Sequence, residues 1–103
     1  MKKDNFYITK EETPEGLRFI INGRVDSVNS PALQCELDKA VKDGVKRIVL
    51  YMYKVKFLSS AGIRMILITH RNITKAGGTF GIERPSENVK NVLGMAALDE
   101  LLV

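Results

Sequence analysis

The sequence predicts an α/β fold, a small mixed β-sheet with an N-terminal antiparallel hairpin, covered by helices. Three observations predict it. Two short alternating segments flank a turn containing Pro14 and Gly16. A nearly unbroken apolar run, Ile48 to Tyr53, suits a central strand covered on both faces. Apolar residues at helical spacing follow Ser30, Ser60 and Ser86 in turn.

Phe6-Tyr7-Ile8-Thr9-Lys10 alternates and reads as a half-exposed strand. Glu12 to Gly16 is turn chemistry, since proline presets one φ and glycine permits a positive one. Leu17 to Ile21 returns as a second strand with Leu17, Phe19 and Ile21 inward, and the short link makes the pair antiparallel. Ser30-Pro31 reads as N-cap and first helical residue. Leu33, Leu37, Ala40 and Val41 then share a face, and Gly44 ends the helix. Arg47 to Tyr53 is the interior strand, joined to Ser59-Ser60 by a short link. The next helix shows Ile63, Ile66, Leu67 and Ile73, widened by Met65 and Ile68, and stops at Gly77-Gly78. Thr79 to Ile82 is a short strand. Pro85-Ser86 opens a third helix using Val89, Val92 and Leu93; Gly94 breaks it, and Met95 to Leu102 forms a last apolar helical turn or two. The order β-β-α-β-α-β-α makes the strands joined by helical crossovers parallel and the crossovers right-handed.

A chain of 103 residues fits one domain, residues 1–103. Its 45% apolar and 27% charged residues are those of a folded protein. Met1 to Asn5 leads into an alternating segment, not an apolar one, so no signal peptide is expected. No apolar run approaches the roughly 20 residues of a membrane span. The one cysteine, Cys35, excludes an internal disulfide, reads as a small buried or half-buried thiol, and fits a cytoplasmic protein. The net charge of +4 comes from scattered basic residues interleaved with acidic ones. That is a solvated mixed surface, not a nucleic-acid patch, and it would steer toward an acidic protein partner.

Little in the chain looks like catalysis. One His and one Cys leave any metal to carboxylates, and no carboxylate cluster has suitable spacing. His70 reads as a structural histidine at the edge of the core. It lies ten helical residues, about 15 Å of rise, beyond Ser60, so the two cannot form a nucleophile–base pair. No phosphate-binding glycine motif is present, no cofactor is expected, and an enzyme is not expected.

What remains is Leu58-Ser59-Ser60-Ala61-Gly62-Ile63, a hydroxyl pair where a strand hands over to a helix. Free N–H groups and the helix dipole favour negative charge there. The pair can be an ordinary cap or a modifiable hydroxyl; local chemistry leaves both open.

The wider constellation resembles the STAS family, specifically the bacterial anti-sigma factor antagonists, over nearly the whole chain. Gly23-Arg24-Val25-Asp26 is similar to the family's Gly-x-Leu-Asp turn, and Ser27 to Leu33 to its entry into the first helix. Ile48 to Leu58 corresponds to the central strand and its exit. Ser59-Ser60-Ala61-Gly62-Ile63 is similar to the family's Asp-Ser-Ser-Gly-Leu loop. Gly77-Gly78, Val92-Leu93 and Leu98 to Leu102 also fit. The resemblance implies a STAS-like fold and a partner switch in which an anti-sigma factor with serine kinase activity phosphorylates Ser60, and a phosphatase reverses it. It implies a docking face of Asp26, Ser27, Asn29, Ser59, Ser60 and Arg64, with the Asp26–Asn29 loop near the start of the Ser60 helix. Two positions depart from the pattern. Ser59 stands where many members carry Asp, and Arg64 where many carry a small residue. Arg64 is four residues after Ser60, on the same helix face, and can pair with a phosphate there or stay solvated. The alternative function is a STAS subunit that regulates a membrane transporter or lipid-transport complex by docking, without phosphorylation.

Overall fold

The structure is a computed structural model that describes residues 6–103. Met1 to Asn5, where no leader pattern is expected, lie outside the described residues. Strand β1 (Tyr7–Glu12) pairs antiparallel with β2 (Leu17–Val25) through a turn closed by Thr13 and Gly16, whose N–H groups each donate to the other's carbonyl. Helix α1 (Ser30–Lys42) leads to β3 (Arg47–Leu58), which lies parallel to β2. Helix α2 (Ser60–Lys75) leads to β4 (Thr79–Glu83), parallel to β3. Helix α3 (Glu87–Met95) and a 3₁₀ turn, Asp99–Leu101, follow, and the sheet order is β1-β2-β3-β4.

One face of the sheet makes the core. Phe19, Ile21 and Val25 of β2, Ile48, Leu50 and Met52 of β3, and Phe80 and Ile82 of β4 are buried, together with Leu33 and Leu37 of α1, Ile66 and Ile73 of α2, and Val89 and Leu93 of α3. The opposite face is only partly covered. Val49 and Tyr51 are half-buried and Tyr53 is exposed. On that face Arg18 pairs with Glu11 and, at 2.9 Å, with Glu83. The apolar run of β3 is therefore buried on one side, not both.

β3 runs five residues past Tyr53, to Leu58, so no separate link precedes Ser59. Two register shifts explain why its pattern looks shorter. Between Ile20↔Tyr51 and Asn22↔Lys54, and again between Gly23↔Val55 and Arg24↔Phe57, β3 carries an extra residue. Each bulge resets the alternation. The inward residues become Val55 and Leu58, still opposite Gly23 and Val25.

Other details also differ from expectation. Asn29, not Ser30, is the N-cap of α1; Ser30 is the first helical residue, buried, with Pro31 behind it. Cys35 is exposed, because it lies off the Leu33–Leu37–Ala40 face. In α2 the buried stripe is Gly62, Met65, Ile66, Thr69 and Ile73, while Leu67 is exposed. Gly94 lies inside α3, which runs to Met95; the chain turns at Ala97 (φ 59°) instead. The last apolar segment makes only one 3₁₀ turn. His70 is half-buried with its ring centroid 6.1 Å from that of Phe80. Beyond the 3₁₀ turn, Leu102 bridges Ile82 and the Val103 N–H donates to the Ile82 carbonyl at 3.0 Å, so the outer edge of β4 is partly covered.

Because β2 and β3 are parallel and Val25 lies opposite Leu58, both strands end side by side. The loop into α1 and the start of α2 leave from that one end of the sheet.

Candidate functional site

The loop after β2 is fixed by its own polar groups. Asp26 Oδ1 accepts from the N–H groups of Val28 at 3.1 Å and Asn29 at 3.0 Å. The Ser30 N–H donates to the Asp26 carbonyl at 2.8 Å, and Asn29 Nδ2 donates to the Arg24 carbonyl at 2.9 Å. No side-chain cap comes from Asn29; the first N–H of α1, that of Ser30, is taken by the Asp26 carbonyl, and the Ala32 N–H by the Asn29 carbonyl. The Asn29 N–H holds the Asp26 carboxyl below the usual carboxylate range, helped by Arg24 and the Val28 N–H and opposed by partial burial. Arg24 Nε lies 3.4 Å from Asp26 Oδ2, and its guanidinium stands 4.3 Å from the Phe57 ring centroid.

The start of α2 is tied to the same strand end. The Ser59 N–H donates to the Val25 carbonyl at 3.0 Å. Ser59 Oγ donates to that carbonyl at 3.3 Å and accepts from the Gly62 N–H at 3.3 Å. Gly62 permits the closeness: a Cβ there would lie 2.5 Å from Leu58 Cδ1 and 2.9 Å from the Val25 carbonyl oxygen. The pair of serines is thus divided in role. Ser59 is half-buried and caps the helix; Ser60 is the first helical residue and is exposed. The first turn of α2 carries no acidic side chain.

A groove of about 460 Å³ runs between the two helix starts, with Ser27, Ser30 and Gln34 on one side and Ser60, Arg64 and Met65 on the other. Of the six residues expected at a docking face, Ser27, Ser60 and Arg64 are exposed and line this groove. Asp26, Asn29 and Ser59 are half-buried behind it, with side chains engaged in the bonds just described. Gln34 and Met65 were not expected here. Their sequence signal is weak, because only the packing of α1 on α2 brings them to the groove. Val28 is a second addition: an apolar side chain 80% exposed at the tip of a tightly bonded loop.

Among the described residues, no group of three or more His, Cys, Asp or Glu side chains could hold a metal ion. Among them, too, no helix is long and apolar enough to cross a membrane.

The family model described as STAS domain matches residues 7–102. BtrV of Bordetella bronchiseptica, a candidate anti-sigma factor antagonist, is 29% identical over 72 residues, which are 70% of this chain. The match spans 62% of BtrV, so this chain covers less than two thirds of that relative's length. An anti-sigma factor antagonist from Mycobacterium paratuberculosis superposes with a TM-score of 0.86 over 98% of this chain and 86% of its own, at 23% identity. SpoIIAA in its unphosphorylated form gives 0.84 over 94% and 86%, at 17% identity. The phosphorylated Bacillus SpoIIAA gives 0.77 over 94% and 89%, at 18% identity. At these identities the likeness to the solved structures is one of fold.

Proposed function

The chain belongs to the STAS domain family, and from that premise we propose that it is an anti-sigma factor antagonist: a single-domain cytoplasmic binding module, not an enzyme, switched by phosphorylation of Ser60. The observation that carries this reading is the division of labour between the two serines. Ser59 spends its hydroxyl on the cap and on Val25. Ser60 presents an exposed hydroxyl one residue later, on the rim of a groove. The names of BtrV and SpoIIAA support the partner class, an anti-sigma factor; its serine kinase activity is part of the proposal.

In the unmodified state the partner docks across the groove. Ser27, Ser60 and Arg64 present the surface, and Asp26, Asn29 and Ser59 hold it in shape. Phosphorylation adds about −1.5 to −2 charges at Ser60. The dipole of α2 tolerates that charge, so the domain stays folded. A fitted interface does not tolerate it, because an unpaired charge buried there costs several kcal/mol, and each ~1.4 kcal/mol is tenfold in affinity. A phosphatase returns the protein to its binding state.

Incubation with the cognate anti-sigma kinase and ATP, followed by intact-mass spectrometry, tests this. One phosphate should appear; it should vanish in Ser60→Ala and persist in Ser59→Ala. Ser60→Asp should bind the kinase more weakly than the wild type. If neither serine is modified and Ser60→Asp binds normally, the reading fails, and phosphorylation-independent docking to a transporter or lipid-transport complex takes its place.

A further inference from the structure

The groove beside Ser60 contains one charged residue among those that line it, Arg64. It is exposed, one helical turn past Ser60 on the same face, and among the described residues it has no ion-pair partner. Across the groove stands Ser30, only 5% exposed, whose buried Oγ has no hydrogen-bond partner among the described residues. A buried hydroxyl without a partner is uncommon in a native fold. Here that hydroxyl is enclosed behind the wall facing the start of α2, so the unused cation is the group the groove itself presents. The α2 terminus adds the N–H groups of Ser60 and Ala61, which have no intrahelical acceptor.

The acidic groups nearby are already engaged. Asp26, from the loop before α1, accepts from two backbone N–H groups and pairs with Arg24. Asp38 of α1 accepts from Gln34 Nε2 at 2.9 Å. Glu36 pairs with Lys10 at 3.0 Å. The position before Ser60, where a carboxylate would repel a phosphate, is the neutral cap Ser59.

We infer that Arg64 is an internal clamp for phosphorylated Ser60: the phosphate turns into the groove, pairs with the Arg64 guanidinium, and draws on the free N–H groups of α2. The inference rests on the proposed modification of Ser60 and adds how that state is read. The guanidinium that faces an acidic partner in the unmodified protein is occupied by the protein's own phosphate in the modified one. The switch then works by withdrawing a cation as well as by adding an anion. An intramolecular pair of this kind competes well, because its two members are tethered on one helix face.

The test installs phosphoserine directly at position 60 by suppressor-tRNA incorporation, so it needs no kinase. The ³¹P resonance is titrated in the wild type, Arg64→Gln and Arg64→Lys. The clamp requires the second phosphate pKa in the wild type to lie about half a unit or more below that in Arg64→Gln, with Arg64→Lys partly restoring the shift. The phosphate should also raise the melting temperature more in the wild type than in Arg64→Gln. Coincident titrations of wild type and Arg64→Gln overturn the clamp. Failure of the cognate kinase to modify Ser60 is a separate result: it counts against the proposed function and leaves the titration to decide the clamp.

Discussion

Helices α2 and α3 begin with the same device and diverge one residue later. Ser59 Oγ accepts from the Gly62 N–H, and Ser86 Oγ accepts from the Val89 N–H, three residues on in each case. After Ser86 comes Glu87, a permanent carboxylate in the first turn; after Ser59 comes Ser60, a neutral hydroxyl. Three residues past the cap, α3 sinks Val89 into the core, whereas α2 brings Gly62 against the backbone of β2. A serine cap therefore marks a helix start and nothing more. What separates the two is whether the positive end is already answered by a fixed charge, and how tightly the helix is held to the end of the sheet.

The largest effect should come from breaking that tight seat. Gly62→Val should cost about 3 kcal/mol in urea unfolding, because the added carbons meet Leu58 and the Val25 carbonyl. Val89→Ala, at the matching place in α3, should cost about 2 kcal/mol by loss of buried methyl groups. A near-neutral Gly62→Val would mean that α2 can lift off the strand end, and the contrast would collapse.

The caps come next. Ser59→Ala and Ser86→Ala should each lose about 1 kcal/mol, while Ser60→Ala should stay within about 0.5 kcal/mol of wild type. Equal losses at Ser59 and Ser60 would erase the division of labour on which the proposed switch depends.

Charge at the two helix starts is a smaller matter. Glu87→Gln should lose about 0.5 kcal/mol and Ser60→Asp should gain a similar amount, both shrinking as salt is raised. Melting curves at low and high ionic strength check this. A destabilising Ser60→Asp would show that the start of α2 does not welcome an anion.

The smallest effect concerns α1, whose first turn carries no acid but whose entry loop borrows the Asp26 carboxylate. Asp26→Asn keeps an acceptor for the loop N–H groups and removes the pairing with Arg24. The folded-state pKa of Asp26 is lowered, so its contribution is present above its unfolded value of about 4 and is lost as pH falls through the lower folded value. The melting-temperature gap between wild type and Asp26→Asn should be full at neutral pH and close below about pH 4. A gap that persists in strong acid would assign the effect to packing.

The element order was readable because each helix start and each turn carries its own local signal, and local signals survive in sequence. The features that are not readable depend on partners that no local pattern names. The sequence pattern ends β3 at Tyr53 because its bulges interrupt the alternation, although the register with β2 continues to Leu58. Ser30-Pro31 has the local signature of a cap and first helical residue, yet Asn29 is the N-cap and the Ser30 N–H is taken by the Asp26 carbonyl. Thr69 was missed as a core position because a polar residue reads as surface, yet it is buried and accepts from Gln34 at 3.3 Å. At the site, Ser59, Ser60 and Arg64 could be named from spacing and resemblance. The groove itself could not, since α1 supplies one wall and α2 the other.

The cover over β4 bears on how copies of this molecule could associate. A sheet that grows by edge pairing needs two open edges, one to receive and one to offer. Here β1 is one edge, and the other is partly taken by Leu102 and Val103 against Ile82. Val103 also leans over Gly81, where a Cβ would come within 2.5 Å of its Cγ1. Among the described residues, edge pairing on the β4 side therefore meets an occupied position at Ile82 that has no counterpart at β1. Displacing Leu102 and Val103 would free the Ile82 backbone carbonyl for pairing with another strand.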